Sequence, residues 1–104
     1  MSGFNKLPIG IDLDGTAFQH PAFFAELLRV WEGKTYALTA RQKSKNTLDV
    51  CDNLGLRFDE FVWDLCDNEA KSQKVQELGL VAFFDDMPEF LLSVPHSYAR
   101  RLEF

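Results

Sequence analysis

The sequence predicts a three-layer α/β/α fold, a parallel β-sheet with helices on both faces. Short apolar runs at 8–13, 35–39, 57–63 and 80–84 alternate with stretches whose apolar residues recur at helical spacing. Gly33, Gly55 and Gly79 fall at near-regular intervals, each after a helix-like stretch and before a strand-like one. Strands alternating with helices of this length imply parallel pairing and right-handed crossovers. With 104 residues, 46% apolar and 26% charged, residues 1–104 read as one globular domain with one core.

The elements follow in order. The first strand is "PIGIDL" (8–13). In "PAFFAELLRVWE", Pro21 suits a first helical turn, and Phe23, Phe24, Leu27, Leu28 and Trp31 line one helical face. Gly33 then reads as a left-handed cap, as do Gly55 and Gly79 after their helices. "TYALT" (35–39) is the second strand. "RQKSKNTLDVCDNL" sets Leu48, Cys51 and Leu54 on one side of a second helix. "RFDEFVW" (57–63) is the third strand, and "EAKSQKVQEL" offers Val75 and Leu78 to a third helix. "LVAFF" (80–84) is the fourth strand. A further helix and a fifth strand from "SYARRLEF" complete the alternation.

Composition narrows the function classes. No apolar run approaches the ~20 residues of a membrane span. The start "MSGFNKLP" lacks the apolar stretch of a signal peptide, so a cytoplasmic protein with no membrane partner is expected. A net charge of −5 argues against a protein that coats nucleic acid, though not against a local basic patch. Cys51 and Cys66 lie too far apart for a zinc pair and read as two reduced, buried thiols.

Ligands of open parallel sheets bind outside the carboxyl ends of the strands. Strand one ends in Asp12 and Asp14, strand two in Thr39 and Ala40-Arg41, strand three in Asp64, and strand four in Asp85-Asp86. Asp14-Gly15 alone is a common turn, and Asp85-Asp86 alone could cap a helix. Carboxylates gathered at one rim would repel, and a divalent cation relieves that repulsion. Hard oxygen ligands suit Mg²⁺.

These residues carry a family resemblance. "DLDGT" (12–16) resembles motif I of the haloacid dehalogenase-like (HAD) phosphohydrolases, and "YALT" ending at Thr39 resembles motif II. Lys71 in "EAKSQKVQELG" resembles the motif III lysine, and "VAFFDD" (81–86) the DD form of motif IV. The motifs occur in family order across residues 9–86. The resemblance implies a three-layer, Rossmann-like phosphatase core. Asp12 would be the nucleophile that forms an aspartyl-phosphate, and Asp14 the general acid and then base. In an extended segment residues i and i+2 point to one side, which lets both carboxylates flank one phosphorus. As an acid, Asp14 needs a raised pKa. Asp12, the carbonyl of Asp14, Asp85 and Asp86 would hold Mg²⁺, with the choice between Asp85 and Asp86 as direct ligand open. Thr39 and Ala40 would bind the substrate phosphate, helped by the N–H groups opening the next helix. Lys71 would neutralise the shared charge. Lys74, a turn deeper, reads as solvated.

Many relatives carry a cap domain. Residues 17–38 and 40–70 have room only for one helix, one strand and short loops each, so a capless, open site is expected. Such a site suits a bulky phosphorylated substrate, with nucleotides and nucleic-acid ends preferred. A small substrate would need a homo-oligomer to exclude water. His20 reads as an exposed residue at a helix start, with a leaving-group contact as the other option. The basic run Arg41, Lys43, Lys45 either steers an anion or forms a solvated helix face. The rival function is a non-catalytic regulatory module that holds metal and phosphate. A second acid two residues after the first favours the enzyme.

Overall fold

The structure, a computed structural model, describes residues 6–86 and 101–102. Strands β1 (Ile9–Asp12), β2 (Thr35–Leu38), β3 (Glu60–Val62) and β4 (Ala82–Phe84) alternate with helices α1 (Pro21–Val30), α2 (Lys45–Asn53) and α3 (Asn68–Glu77). A two-residue strand, β5 (Arg101–Leu102), pairs with β4. All pairings are parallel, in the order β3-β2-β1-β4-β5. The fold is a Rossmann-like α/β fold with β1 between β2 and β4. The helix expected after β4, and most of the tail strand, lie outside the described residues. No helix among the described residues is long and apolar enough to cross a membrane.

Strand parity divides the core. Ile9, Ile11 and Ala37 point to the face covered by α1 (Phe24, Leu28) and α2 (Cys51). Tyr36, Leu38 and Phe83 point to the opposite face, covered by α3 through Val75. β1 and β2 are buried on both faces, the pattern of central parallel strands. Helices thus lie on both sides of the sheet, and the loops at its carboxyl edge are set by where each helix starts.

Those starts differ in part from expectation. Side-chain caps set two of them: Ser44 Oγ accepts from the Thr47 amide at 3.2 Å, and Asp67 Oδ1 from the Ala70 amide at 2.7 Å. The cap at Ser44 holds residues 41–44 outside α2, so Arg41 and Lys43 sit on a loop instead of a helix face. Gly55 and Gly79 are left-handed, with φ of 74° and 64°. Gly33 is not. A Cβ there would lie 2.3 Å from the Leu7 carbonyl oxygen, so the glycine admits a close backbone crossing. Cys51 is buried, and burial pushes its thiol up to about 11, against a smaller opposing effect of Arg41. Cys66 is exposed, which corrects the expectation of two buried thiols.

Gly10, mid-strand in β1, faces the α3 side. A Cβ there would meet Leu80 Cδ1 at 2.6 Å, Phe83 Cδ1 at 3.2 Å and Leu38 Cδ1 at 3.3 Å. The core is closed at this point, so Gly10→Val forces neighbours off their rotamers. It should lower the unfolding free energy in urea by about 1–3 kcal/mol. Wild-type stability in this variant would mean that the α3 layer is loosely filled.

Candidate functional site

The chain runs β1-β2-β3 outward in one direction, then crosses back through α3 to place β4 on the other side of β1. That reversal makes the carboxyl ends of β1 and β4 the crevice where such sheets bind ligands. Ile11 pairs with Phe84, so Asp12 and Asp85, the next residues along, leave adjacent strands together. Asp12 and Asp85 are buried, Asp86 is exposed, and one carboxylate oxygen from each lies within 4.8 Å of the others.

Lys71 completes the cluster. Asp12 shares the strand parity of Gly10 and so faces α3, and Lys71 lies one turn inside the start of that helix. Its Nζ donates to Asp12 Oδ1 at 2.8 Å and approaches Asp85 Oδ2 at 3.6 Å. Lys74, a turn further down, pairs with Glu77 instead. Thr16 Oγ1 lies 3.4 Å from Asp12 Oδ2, a long contact. Burial pushes Asp12 up to about 6, against the lowering effect of Lys71, while Asp85 and Asp86 add to the rise.

Gly15 admits the third acid. Its φ of 81° is left-handed, and a Cβ would lie 2.1 Å from Asp86 Oδ2. The glycine of "DLDGT" thus both permits the turn after β1 and leaves space for the Asp86 carboxylate. The three carboxylates fit a hard divalent cation. An octahedral Mg²⁺ shell with bonds of 2.0–2.1 Å spreads its oxygens over roughly 3–4 Å, so a small inward shift closes the set.

Asp14 departs from expectation. Its carboxylate is exposed and held by Arg41 through two bonds, Nε to Oδ2 at 2.9 Å and Nη2 to Oδ1 at 2.7 Å. The Arg41 hydrogen bond and charge hold Asp14 below the usual carboxylate range, the reverse of what a resting acid needs. Arg41 is itself anchored: Nη1 donates to Thr47 Oγ1 at 3.2 Å, and the guanidinium lies 5.1 Å from the Phe18 ring centroid.

Thr39 is buried at the end of β2, and its Oγ1 accepts from the Arg41 amide at 3.1 Å. Ala40 is exposed beside it. Because α2 starts only at Lys45, the amides following Thr39 belong to the loop, which corrects the expected help from a helix start. Asp64 ends β3 in a left-handed turn (φ 64°), exposed and outside the carboxylate cluster. His20 is exposed at the start of α1. Residues 17–38 contain α1 and β2, and residues 40–70 contain α2 and β3.

Comparison with protein-family models, curated proteins and solved structures finds no match for this chain. Sequence reasoning missed the Arg41–Asp14 clamp and the contacts of Phe18, Thr16 and Thr47. The basic run 41–45 and the place of Arg41 after strand two were the signals for it, and neither singled out Asp14 as the partner.

The folded-state pKa of Asp12 lies above its unfolded value of 3.8. Metal-free native protein therefore binds this proton more tightly than the unfolded chain does. The resulting stability is full below about pH 4 and is lost as pH rises through 6, by about 3 kcal/mol for a shift of this size. Asp12→Asn removes that dependence. Urea unfolding in chelator at pH 4 and pH 7 should show the variant gaining on wild type as pH rises, and a constant difference would refute the buried-carboxylate account.

Proposed function

We propose that this chain is a capless, Mg²⁺-dependent phosphomonoester hydrolase of the HAD type, working through an aspartyl-phosphate on Asp12. The observation that carries this reading is the cluster of Asp12, Asp85 and Asp86 at the carboxyl ends of β1 and β4, with Lys71 against the first two. A structural ion pair needs one acid per lysine. Two buried acids on one lysine, with a third carboxylate beside them, are costly for folding and suit a site that recruits a cation and a phosphate.

An Asp12 oxygen attacks phosphorus, forming an acyl-phosphate bond as the ester P–O bond breaks. The leaving oxygen takes a proton from Asp14. Water then attacks the phosphorus of that acyl phosphate and gives its proton to Asp14. Inorganic phosphate departs, and the Asp12 carboxylate is restored. Lys71 offsets the charge shared by Asp12 and the phosphoryl group, and Thr39 and Ala40 line the phosphate side. When bound by Asp12, Asp85, Asp86 and the Asp14 carbonyl, Mg²⁺ supplies an electrostatic clamp. Asp14 can carry a proton only when Arg41 lets go of it, so the acid role requires substrate to draw the guanidinium away. The open rim suits a bulky phosphorylated substrate.

The Arg41 clamp favours a second reading, a regulatory module that binds metal and phosphate and keeps its phosphoryl group. Turnover separates the two. With Mg²⁺ and an activated phosphomonoester, Asp12→Asn should abolish release of phosphate. Asp14→Asn should slow it by about 10²–10⁴-fold and accumulate one phosphoryl group by mass spectrometry. Lys71→Ala should lose comparable activity. If wild type turns nothing over and holds a phosphoryl group as long as Asp14→Asn does, the module reading stands and the phosphatase reading fails.

A further inference from the structure

We infer that Trp63 is a stacking platform for the leaving group, which makes the substrate a nucleoside phosphate, free or at the end of a nucleic-acid strand. The inference rests on the phosphatase reading and narrows its substrate.

β3 lies at one end of the strand order, and Phe61 on it, with Phe58 before it and Trp63 after it, forms a row of aromatic rings. Phe58 meets Phe61 edge-on at 5.5 Å, and Phe61 stacks on Trp63 at 5.2 Å with an interplanar angle of 11°. Phe58 and Phe61 pack against the core cluster beneath α1 and α2. Trp63 continues the row past Val62, the last paired residue, to the carboxyl rim, and stays partly exposed. One ring of this row therefore reaches the edge where the phosphate site lies.

Register gives the distance. Asp12 pairs with Leu38 and Leu38 with Val62, so the three lie on one line across the sheet. Trp63 is one residue beyond that line, so its backbone lies two strand spacings, about 10 Å, from that of Asp12, and the two side chains, on opposite faces of the sheet, lie farther apart. A separation of this order calls for a leaving group longer than a phenyl ring bonded directly to the ester oxygen, as a sugar and its base are.

Direction agrees. Lys71 reaches Asp12 from the α3 side. Asp14, Arg41, Phe18 and Thr47 meet on the α1/α2 side, the side to which Phe61 and Trp63 belong by strand parity. A leaving group that departs past Asp14 therefore travels toward Trp63. The two loops are tied together, since the Asp64 amide donates to the Arg41 carbonyl at 2.9 Å. Exposed Lys43 follows on the Arg41 loop, and exposed Lys45 opens α2. Aromatic platforms beside cationic side chains hold bases and backbone phosphates without sequence preference.

The test uses the full chain with Mg²⁺ and the substitution Asp12→Asn, so that binding is read by calorimetry without turnover. A nucleoside monophosphate should bind about tenfold or more tighter than glycerol phosphate. Adding Trp63→Ala should bring the two within about threefold, and Trp63→Phe should retain most of the preference. Urea unfolding of Trp63→Ala checks that the fold survives. Equal binding of the two ligands by the Asp12→Asn protein, or tighter binding of a phosphotyrosine peptide, overturns the inference. A base preference in a chain whose wild type shows no hydrolysis keeps the platform and rejects the chemistry. Tighter, salt-sensitive binding of a phosphorylated oligonucleotide assigns the strand end as the source, and equal affinity assigns the free nucleotide.

Discussion

The buried carboxylate of Asp12 is the constraint on which the rest of the site depends. It ends the central strand, flanked on both sides by paired strands, where little of it meets solvent. A lysine must therefore reach it, and only a helix on the matching face of the sheet can supply one. Lys71 does so because α3 crosses back over β2 and β1, and because its first turn opens at the same rim. Asp85 then shares the same lysine, so the site carries more negative charge than its own cation balances. That imbalance adds to the rise that burial imposes on Asp12.

A second constraint works on the opposite half of the rim. Arg41 gathers Asp14, Thr47 and the Phe18 ring, joining the turn after β1 to the loop after β2 and the start of α2. The two halves treat their carboxylates in opposite ways: burial raises Asp12, and a paired guanidinium lowers Asp14. Two carboxylates two residues apart thus have distinct environments before any substrate arrives. Under the proposed function, a phosphate entering between Lys71 and Arg41 would compete for both cations, and its binding would be coupled to release of Asp14.

Glycine placement links the fold to the site. Gly10 lets the α3 layer close on β1 directly below Asp12, and Gly15 leaves the space that Asp86 fills. A side chain at the first position would disturb the layer that supplies Lys71. One at the second would displace a carboxylate. Stability and site geometry meet within six residues of the chain.

Local information alone accounts for the alternation of strands and helices, the parallel sheet and the acids at its carboxyl edge. Strand parity and helical spacing are short-range patterns, and Asp12, Asp14, Asp85 and Asp86 stand at strand ends by simple counting. The ordering of Lys71 ahead of Lys74 was equally legible, because depth along a helix follows from its start. Tertiary structure decided what each acid faces. Asp14 and Asp64 read as members of the same cluster, yet an arginine 27 residues away holds the first and a left-handed turn sets the second apart. The Ser44 cap, not the apolar pattern, freed Arg41 from the helix. Gly33 likewise took its role from a segment remote in sequence, the backbone of Lys6 and Leu7. Periodicity reports which side of an element a residue occupies, whereas an ion pair, a cap or a close backbone crossing depends on which elements meet, and that is settled only when the chain is packed.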